Sequence, residues 1–170
     1  MAGSTSPKLW MAVAISICLG ATSSIAANAR PARLAVAHFD FLDTSGEVRD
    51  QTVRHEKQLR LFETEMRQTL SRDNGIDLVA LPCKPDRCSL GNPGMEQLEK
   101  EARAAKARFL LAGGLHKMST LIGWAKFVVF DLKESGRTCQ RLLTYRGDTE
   151  EAWRRAAEFG AKDVIRNCFR

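Results

Sequence analysis

The sequence lacks the segments that characterise membrane-spanning, repetitive and nucleotide-binding proteins. After residue 21 it has no apolar stretch of the ~20 residues that a transmembrane helix requires. It has no internal repeat and no low-complexity linker, so nothing divides the chain after residue 30. The G-x4-G-K-[ST] and G-x-G-x-x-G phosphate loops and the G-x-S-x-G nucleophile elbow are also missing. Gly113 and Gly114 precede further predicted strand, which favours close backbone packing over phosphate binding.

Residues 1–29 have the composition of a secretory signal peptide. A single basic residue precedes the apolar stretch 9–21, and small residues follow it. Two small-x-small patterns, of the kind that signal peptidase recognises, end at Ala26 and Ala29, which predicts cleavage after one of these residues. An uncleaved membrane anchor is the alternative, but the apolar stretch is short for a membrane-spanning helix.

Cleavage leaves residues 30–170 as one predicted domain in the periplasm or outside the cell. Cys18 leaves with the signal peptide. It follows Ile17, whereas lipidation requires a small residue there, so we predict neither a lipid anchor nor stable membrane insertion after cleavage. Removal of Lys8 lowers the formal net charge of +6 by one, so the exported domain stays mildly basic.

Four cysteines remain in the exported domain, and an even number in an oxidising compartment predicts two disulfides. Cys83 and Cys88 lie in a short stretch punctuated by proline and glycine, PCKPDRCSLGNPG, which favours a local bridge between them and leaves Cys139 to pair with Cys168. A zinc site is the alternative, but the C-x4-C spacing has no second ligand pair nearby. Redox-active cysteines would require a C-x-x-C motif, which is absent.

Hydrophobic periodicity predicts alternating strands and helices in the order β-α-β-α-β-β-β-α. This order is typical of an α/β (α+β) domain with a mixed sheet of about five strands, packed by three helices. The early strands should pair in parallel, and the last three should form an antiparallel meander. The predicted strands cover residues 33–41, 76–81, 109–115, 124–132 and 139–145, and the predicted helices cover 51–73, 95–105 and the chain from about residue 150.

Carboxylates gather at the end of the first predicted strand. Asp40 and Asp43 lie there, and Glu47 and Asp50 follow in the next loop. Ligands of open α/β sheets bind at the carboxyl ends of strands, so these side chains are weak candidates for a metal site. Their spacing lacks the pattern of a calcium loop, and solvation of the loop or capping of the next helix explains them equally well.

Histidines are the second weak candidates for ligand binding or catalysis. His38 lies on the first predicted strand and His116 follows the third, so the two imidazoles would approach each other if those strands are neighbours. Core or edge positions are the alternative explanation. His55, at the start of the first helix, is expected to be solvated. The residues therefore assign no catalytic group and no cofactor, and an enzyme is not the favoured interpretation.

The last predicted helix begins after Arg146-Gly147-Asp148, a tripeptide that also occurs in cell-adhesion signals. We instead expect Asp148 to cap the helix, with Glu151 three residues later completing a variant of the capping box. The helix is basic, so it offers a surface for an acidic partner or an anionic lipid, or simply a solvated face. No basic run supports nucleic-acid binding. The basic side chains are Arg154, Arg155, Lys162, Arg166 and Arg170.

Five stretches together resemble a family of predicted secreted bacterial proteins of unknown function. They are RLAVAHFDFLDTS (33–45), RLFETEMRQTL (60–70), ARFLLAGGLHKMSTLI (107–122), VVFDLKESGR (128–137) and YRGDTEEAWRRA (145–156). The resemblance implies an exported α/β domain and no catalytic residues. More distantly, the order of elements is similar to the N-terminal domain of the Tol-Pal protein TolB and to curli-secretion-type periplasmic domains, which bind other envelope proteins.

These observations predict a periplasmic or secreted module that binds an envelope protein or assists envelope assembly. The expected surfaces are an exposed sheet edge, available for strand addition, and the face around Trp124 and Trp153, although both tryptophans could belong to the core. A small-ligand or metal-binding protein, or an enzyme using the strand-end carboxylates and histidines, is the alternative. A basic protein that coats anionic surfaces is a third. The sequence identifies neither the partner nor the oligomeric state.

Overall fold

The structure is a computed structural model that describes residues 1, 3, 30–84, 88–134, 136 and 138–169. The predicted signal peptide and its cleavage positions lie outside the described residues, apart from Met1 and Gly3. Within the described part of the chain, no helix combines the length and the apolar composition needed to cross a bilayer.

Six strands form one mixed sheet that is packed by three helices, which confirms the predicted fold class. The strand order is β3-β1-β4-β5-β6, and β2 lies beside β4. β1 pairs in parallel with β3 and β4, whereas β4, β5 and β6 form the predicted antiparallel meander. The elements are β1 Ala32–Val36, β2 Asp40–Asp43, α1 Thr52–Ser71, β3 Ile76–Val79, α2 Met95–Ala104, β4 Phe109–Lys117, β5 Ile122–Asp131, β6 Thr138–Arg146 and α3 Glu150–Cys168.

The sixth strand arises because the first predicted strand, 33–41, is interrupted. Val36 lies opposite Leu111 and Asp40 lies opposite Gly114, so three residues of one strand face two of β4. This extra residue is a β-bulge, and it reverses the alternation of side chains between the two faces of the sheet. The sequence is apolar on both faces here, so periodicity alone did not reveal the interruption.

Side chains of α1 hold the bulge. The Glu63 carboxylate accepts a hydrogen bond from the Phe39 backbone N–H at 2.8 Å. The Arg67 guanidinium donates to the carbonyl oxygens of Val36 and Ala37, at 2.8 and 3.3 Å. Backbone groups that leave a strand ladder must find other partners, and α1 supplies them at this point.

The helices cover the two faces of the sheet unequally. α1 and α3 pack side by side on one face, which we call the helix-covered face, where Phe62, Trp153 and Phe127 are fully buried or nearly so. Gly160 of α3 allows this packing, because a Cβ there would lie 2.7 Å from the Phe127 ring. On the other face, α2 and the cysteine loop cover only the part near Leu110, and the remainder is the open face.

The structure contains the two disulfides expected from the sequence. Cys83 and Cys88 are joined across the loop that precedes α2, with their Cα atoms 5.6 Å apart. Cys139 of β6 is joined to Cys168 at the end of α3, with a Cα separation of 5.5 Å. The second bridge therefore ties the last helix to the edge of the sheet.

The expected cap of the last helix is wrong by one residue. Thr149 is the N-cap, and its hydroxyl accepts a hydrogen bond from the Ala152 N–H at 3.2 Å. Asp148 does not cap the helix, because its carboxylate contacts Lys117 and Trp153 instead. Glu151 pairs with Arg154 along the helix surface at 2.6 Å rather than closing a capping box.

Replacing Cys139 and Cys168 by alanine together should lower the free energy of unfolding by about 2–5 kcal/mol, the usual cost of losing a native disulfide in a small domain. Urea unfolding of the oxidised proteins measures the change. The Cys83→Ala/Cys88→Ala variant is the matched control and should lose less, because its bridge spans 5 residues rather than 29. Free thiols in the purified exported protein, or unchanged stability of the first variant, would contradict the expectation.

Candidate functional site

The four strand-end candidates do not converge on one cleft. Because of the bulge, Asp40 turns to the open face and Asp43 to the helix-covered face. His116 shares the open face with Asp40, whereas His38 contacts α1. Among the described residues, no group of three or more His, Cys, Asp or Glu side chains is placed to hold a metal ion.

Two of these candidates have structural partners at either end of the bulge. His38 Nδ1 lies 2.8 Å from the second carboxylate oxygen of Glu63, so it helps to orient the group that holds the bulge. Asp40 accepts hydrogen bonds from Ser89 Oγ at 2.6 Å and from the Gly91 N–H at 2.9 Å. Asp40 therefore fastens β2 to the loop before α2.

A buried ionic cluster occupies the helix-covered face at the carboxyl ends of β2 and β4. Lys117, only 2% exposed, is at its centre. Its Nζ lies 2.8 Å from Asp148 Oδ2, 2.9 Å from Glu47 Oε2 and 3.9 Å from Asp43 Oδ2. His55 Nε2 lies 3.4 Å from the same Nζ. We call these five residues the Lys117 cluster.

Aromatic rings enclose the cluster. His55 lies 5.0 Å from the Phe41 ring and is stacked on Trp153 at 6.2 Å, measured between ring centroids. The Trp153 Nε1–H donates to Asp148 Oδ1 at 3.1 Å, and Gln58 Nε2 donates to the Asp148 carbonyl oxygen at 3.0 Å. The expectation of a solvated His55 is therefore wrong, and Trp153 belongs to the core.

The pKa values of Asp43, Asp148 and Lys117 shift toward the charged forms of these groups. Burial by itself would raise the pKa of Asp148, but hydrogen bonds from Lys117, His55 and Trp153 outweigh it and lower the pKa below its ordinary 3.8. Burial would likewise lower the pKa of Lys117, but hydrogen bonds to Asp148 and Glu47 outweigh it and raise the pKa above 10.5. At neutral pH Lys117 is therefore not a free amine, and Asp148 is not a protonated carboxyl group.

The contacts of the cluster join four parts of the chain to the end of β4. Asp43 comes from β2, Glu47 from the following loop, His55 from α1 and Asp148 from the turn before α3, all around the end of β4. Sequence reasoning missed Lys117 altogether. Its alternation with Leu115, an apolar residue at the end of the third predicted strand, was the available signal, since residues two apart on a strand share a face.

The open face holds a groove of about 800 Å³ between β2, β4, β5 and β6. Gly114 forms part of its floor, and a Cβ there would lie 3.2 Å from the Asp40 carbonyl oxygen, so glycine permits the close approach of β2. Four large apolar side chains project from this face although they are exposed: Leu42, Ile122, Trp124 (39% exposed) and Leu142 (64% exposed).

Polar groups around this groove are mainly cationic or neutral. His116 Nε2 lies 2.7 Å from Thr44 Oγ1, and its ring meets Trp124 edge to face. Neither Lys126 nor Arg146, which share the open face, has a carboxylate partner in the described part of the chain. The face is thus mainly apolar, with two cations that have no ion-pair partner among the described residues and one carboxylate, Asp40, which is held by Ser89 and Gly91.

The basic surface of α3 is largely neutralised within the helix. Arg154 and Arg155 both pair with Glu151, and Lys162 pairs with Glu158 at 2.6 Å. Arg170 lies outside the described residues. The described part of the helix therefore presents less free positive charge than its composition indicates.

Comparison with known proteins gives a family and a fold. A family model described as "Protein of unknown function (DUF2380)" matches residues 32–165. No curated protein is significantly similar to the chain. Among solved structures, the PelC dodecamer from Paraburkholderia phytofirmans matches with a TM-score of 0.51 and 15% identity, covering 79% of this chain and 86% of that chain. The LpoB C-terminal domain from Salmonella enterica matches with a TM-score of 0.46 and 12% identity, covering 68% of this chain and 82% of that chain. The likeness to PelC shows a shared fold.

Lys117→Met should lower the free energy of unfolding by about 3–5 kcal/mol, because among the described residues it leaves the Glu47 carboxylate without a cation and leaves Asp148 with only His55 and the half-exposed Arg54 beside it. Lys57→Met is the matched control. Lys57 also pairs with a carboxylate, Glu150, but both side chains are exposed, so its loss should cost less than about 1 kcal/mol. Equal losses for the two variants in urea unfolding would show that the cluster does not stabilise the fold.

The cluster should also give the protein a broad plateau of stability between acidic and alkaline limits. The lowered pKa of Asp148 contributes stability above pH 3.8 that disappears as the pH falls through the folded-state value. The raised pKa of Lys117 contributes stability below pH 10.5 that disappears as the pH rises through its folded-state value. Urea unfolding across pH should show both limits, and Asp148→Asn should flatten the acidic one. An acidic limit unchanged in that variant would exclude Asp148 as its source.

Proposed function

The chain belongs to the family described as protein of unknown function (DUF2380), and we propose that it is an exported accessory protein that binds another protein of the bacterial envelope through its open face. The supporting observation is the set of four exposed apolar side chains on one sheet surface. Contiguous exposed apolar surface on a folded domain marks interaction sites, because such surface is otherwise buried.

The chemistry of the open face defines the partner segment. Trp124 and Leu142 line an apolar groove, while Lys126 and Arg146 are uncompensated cations beside them. A segment with apolar side chains flanked by carboxylates matches both features. α2 already covers the adjoining part of the same face, so a segment docked beside it completes the second layer over the sheet.

The cysteines and the N-terminus support the proposed location of the protein. Disulfides persist in the periplasm and outside the cell, where thiols are not kept reduced. The two disulfides of the structure and the predicted signal peptide of residues 1–29 both support this location. We therefore place the protein in the periplasm or outside the cell as part of the proposal.

The shared fold is compatible with a protein-binding role. PelC, whose fold the chain shares, is a dodecamer, so one protein with this fold forms contacts between folded chains. The similarity to the TolB N-terminal domain and to curli-secretion-type domains stays a prediction from the sequence.

Site-directed photo-crosslinking in the source organism tests the proposal. A photoreactive amino acid at position 124 should crosslink to an envelope protein, because Trp124 is exposed at the centre of the open face. The same probe at Val53, exposed on α1 at the opposite side of the sheet, is the matched control and should give no such product.

Substitutions that place a negative charge on the open face provide the quantitative test. Leu42→Glu should reduce the recovery of the crosslinked partner by about tenfold, since an apolar contact in the centre of an interface contributes about 1.4 kcal/mol or more. Lys126→Glu should reduce it as well if the partner presents carboxylates. Identical products from positions 124 and 53, or full recovery with Leu42→Glu, would refute docking on the open face.

A further inference from the structure

The free edge of β6 is a second unpaired surface, separate from the centre of the open face. β6 pairs with β5 over its nine residues, Thr138–Arg146, and no strand among the described residues pairs with its other side. An edge strand directs N–H and C=O groups outward from alternate residues and is a template for another strand. The opposite edge of the sheet, β3, has only four residues.

This edge has few of the features by which proteins protect exposed strands, and its one cation without an ion-pair partner among the described residues, Arg146, lies at the end of the strand. It contains no proline, no glycine and no lysine. Its central cation, Arg141, is neutralised by Asp163 of α3, whose carboxylate oxygen lies 3.0 Å from the guanidinium. Pairing with another strand therefore meets little electrostatic resistance at the centre of β6.

Exposed apolar side chains flank the edge on both sides of the sheet. Leu142, in the middle of β6, projects from the open face and is 64% exposed. Phe159 of α3 is 55% exposed on the helix-covered side. It lies one turn before Asp163, on the helix surface that contacts Arg141, because residues four apart share a helix face. Phe159 therefore borders the same edge as Leu142.

We propose that β6 pairs antiparallel with β6 of a second copy of this chain, about a twofold axis at Leu142. A second copy fits because the strand is complementary to itself in this register. Leu142 meets Leu142, Gln140 meets Thr144, Arg141 meets Leu143, and Thr138 meets Arg146 of the other copy, so no like charges are opposed. A register centred on Arg141 would place the two arginines opposite each other.

This interface goes beyond the proposed function and shares with the open face only one of its four exposed apolar side chains, Leu142. Docking of an envelope protein is tested at Leu42 of β2 and at position 124 of β5, whereas the dimer is tested at Leu142 and Phe159 along the β6 edge. Failure of one proposal therefore leaves the other standing.

The mass of the mature, oxidised chain in solution tests the dimer. Light scattering coupled to size exclusion, at concentrations up to about 100 µM, should give the mass of two chains. Leu142→Glu should give one chain, because it places two carboxylates opposite each other, and Phe159→Glu should weaken the dimer by at least about tenfold. Leu42→Glu, equally a charge on the open face but distant from the edge, is the matched control and should stay dimeric.

Crosslinking tests the register independently of any loss of folding. Opposed residues in an antiparallel pair have Cα atoms about 4.5–5.5 Å apart, which is within the reach of a disulfide. Leu142→Cys should therefore form a bridge between two chains when oxidised glutathione accepts the two electrons. Thr138→Cys, which faces Arg146 of the other copy, should not.

Three results would overturn the proposal. One is a chain that remains monomeric throughout the concentration range. Another is a dimer that survives both Leu142→Glu and Phe159→Glu but is lost in Leu42→Glu, which would place the contact on the open face. The third is equal crosslinking of Leu142→Cys and Thr138→Cys. Unchanged thermal unfolding of Phe159→Glu confirms that its effect on mass does not arise from misfolding.

Discussion

The hydrogen bond between the Glu63 carboxylate and the Phe39 N–H stabilises the β-bulge. Both the Lys117 cluster and the groove of the open face depend on this bulge. The hydrogen bond holds the bulge between β1 and β2, and the bulge decides which side chains of β2 reach which face of the sheet. With the extra residue, Asp43 points toward α1 and Leu42 toward the open face. Without it, the two would exchange places, since a shift of one residue inverts every side chain of a strand. The buried ionic cluster and the apolar groove would then both be lost.

In the Lys117 cluster, the lysine at the end of β4 is paired with the carboxylates of Asp43, Glu47 and Asp148. A buried lysine is costly unless its partners are close, and here two carboxylate oxygens lie within 3 Å of Lys117 Nζ. The same contacts keep Lys117 protonated and Asp148 ionised, which removes them from acid–base chemistry at neutral pH. The ionisable groups of the cluster thus stabilise the fold.

The features that were predicted correctly are those that depend mainly on residues close together in the sequence. Hydrophobic periodicity predicted the first helix over residues 51–73, where the structure has α1, and the cysteine count together with the short loop predicted the disulfide pairs of the structure. Long-range contacts escaped prediction. Asp148 was expected to cap α3, because its sequence neighbours suit a capping box, yet Lys117 and His55, both distant in sequence, hold its carboxylate. The bulge was not predicted either. The first predicted strand is apolar on both faces, so the sequence shows no change in the alternation of apolar and polar residues at the bulge. Trp124 was recognised as a surface candidate, but its groove depends on strands that only the fold brings together.

The two proposed interfaces have a geometric relation that follows from the symmetry of strand pairing. Antiparallel pairing of identical edge strands requires a twofold axis perpendicular to the sheet, because any other twofold axis either reverses a face or makes the strands parallel. Such an axis leaves both open faces on the same side of a continuous sheet, with the two Leu142 side chains at its centre. Each dimer would then present two equivalent docking grooves to one partner surface. Two linked contacts bind far more tightly than one of them alone, so modest affinity at each groove is sufficient for a stable assembly.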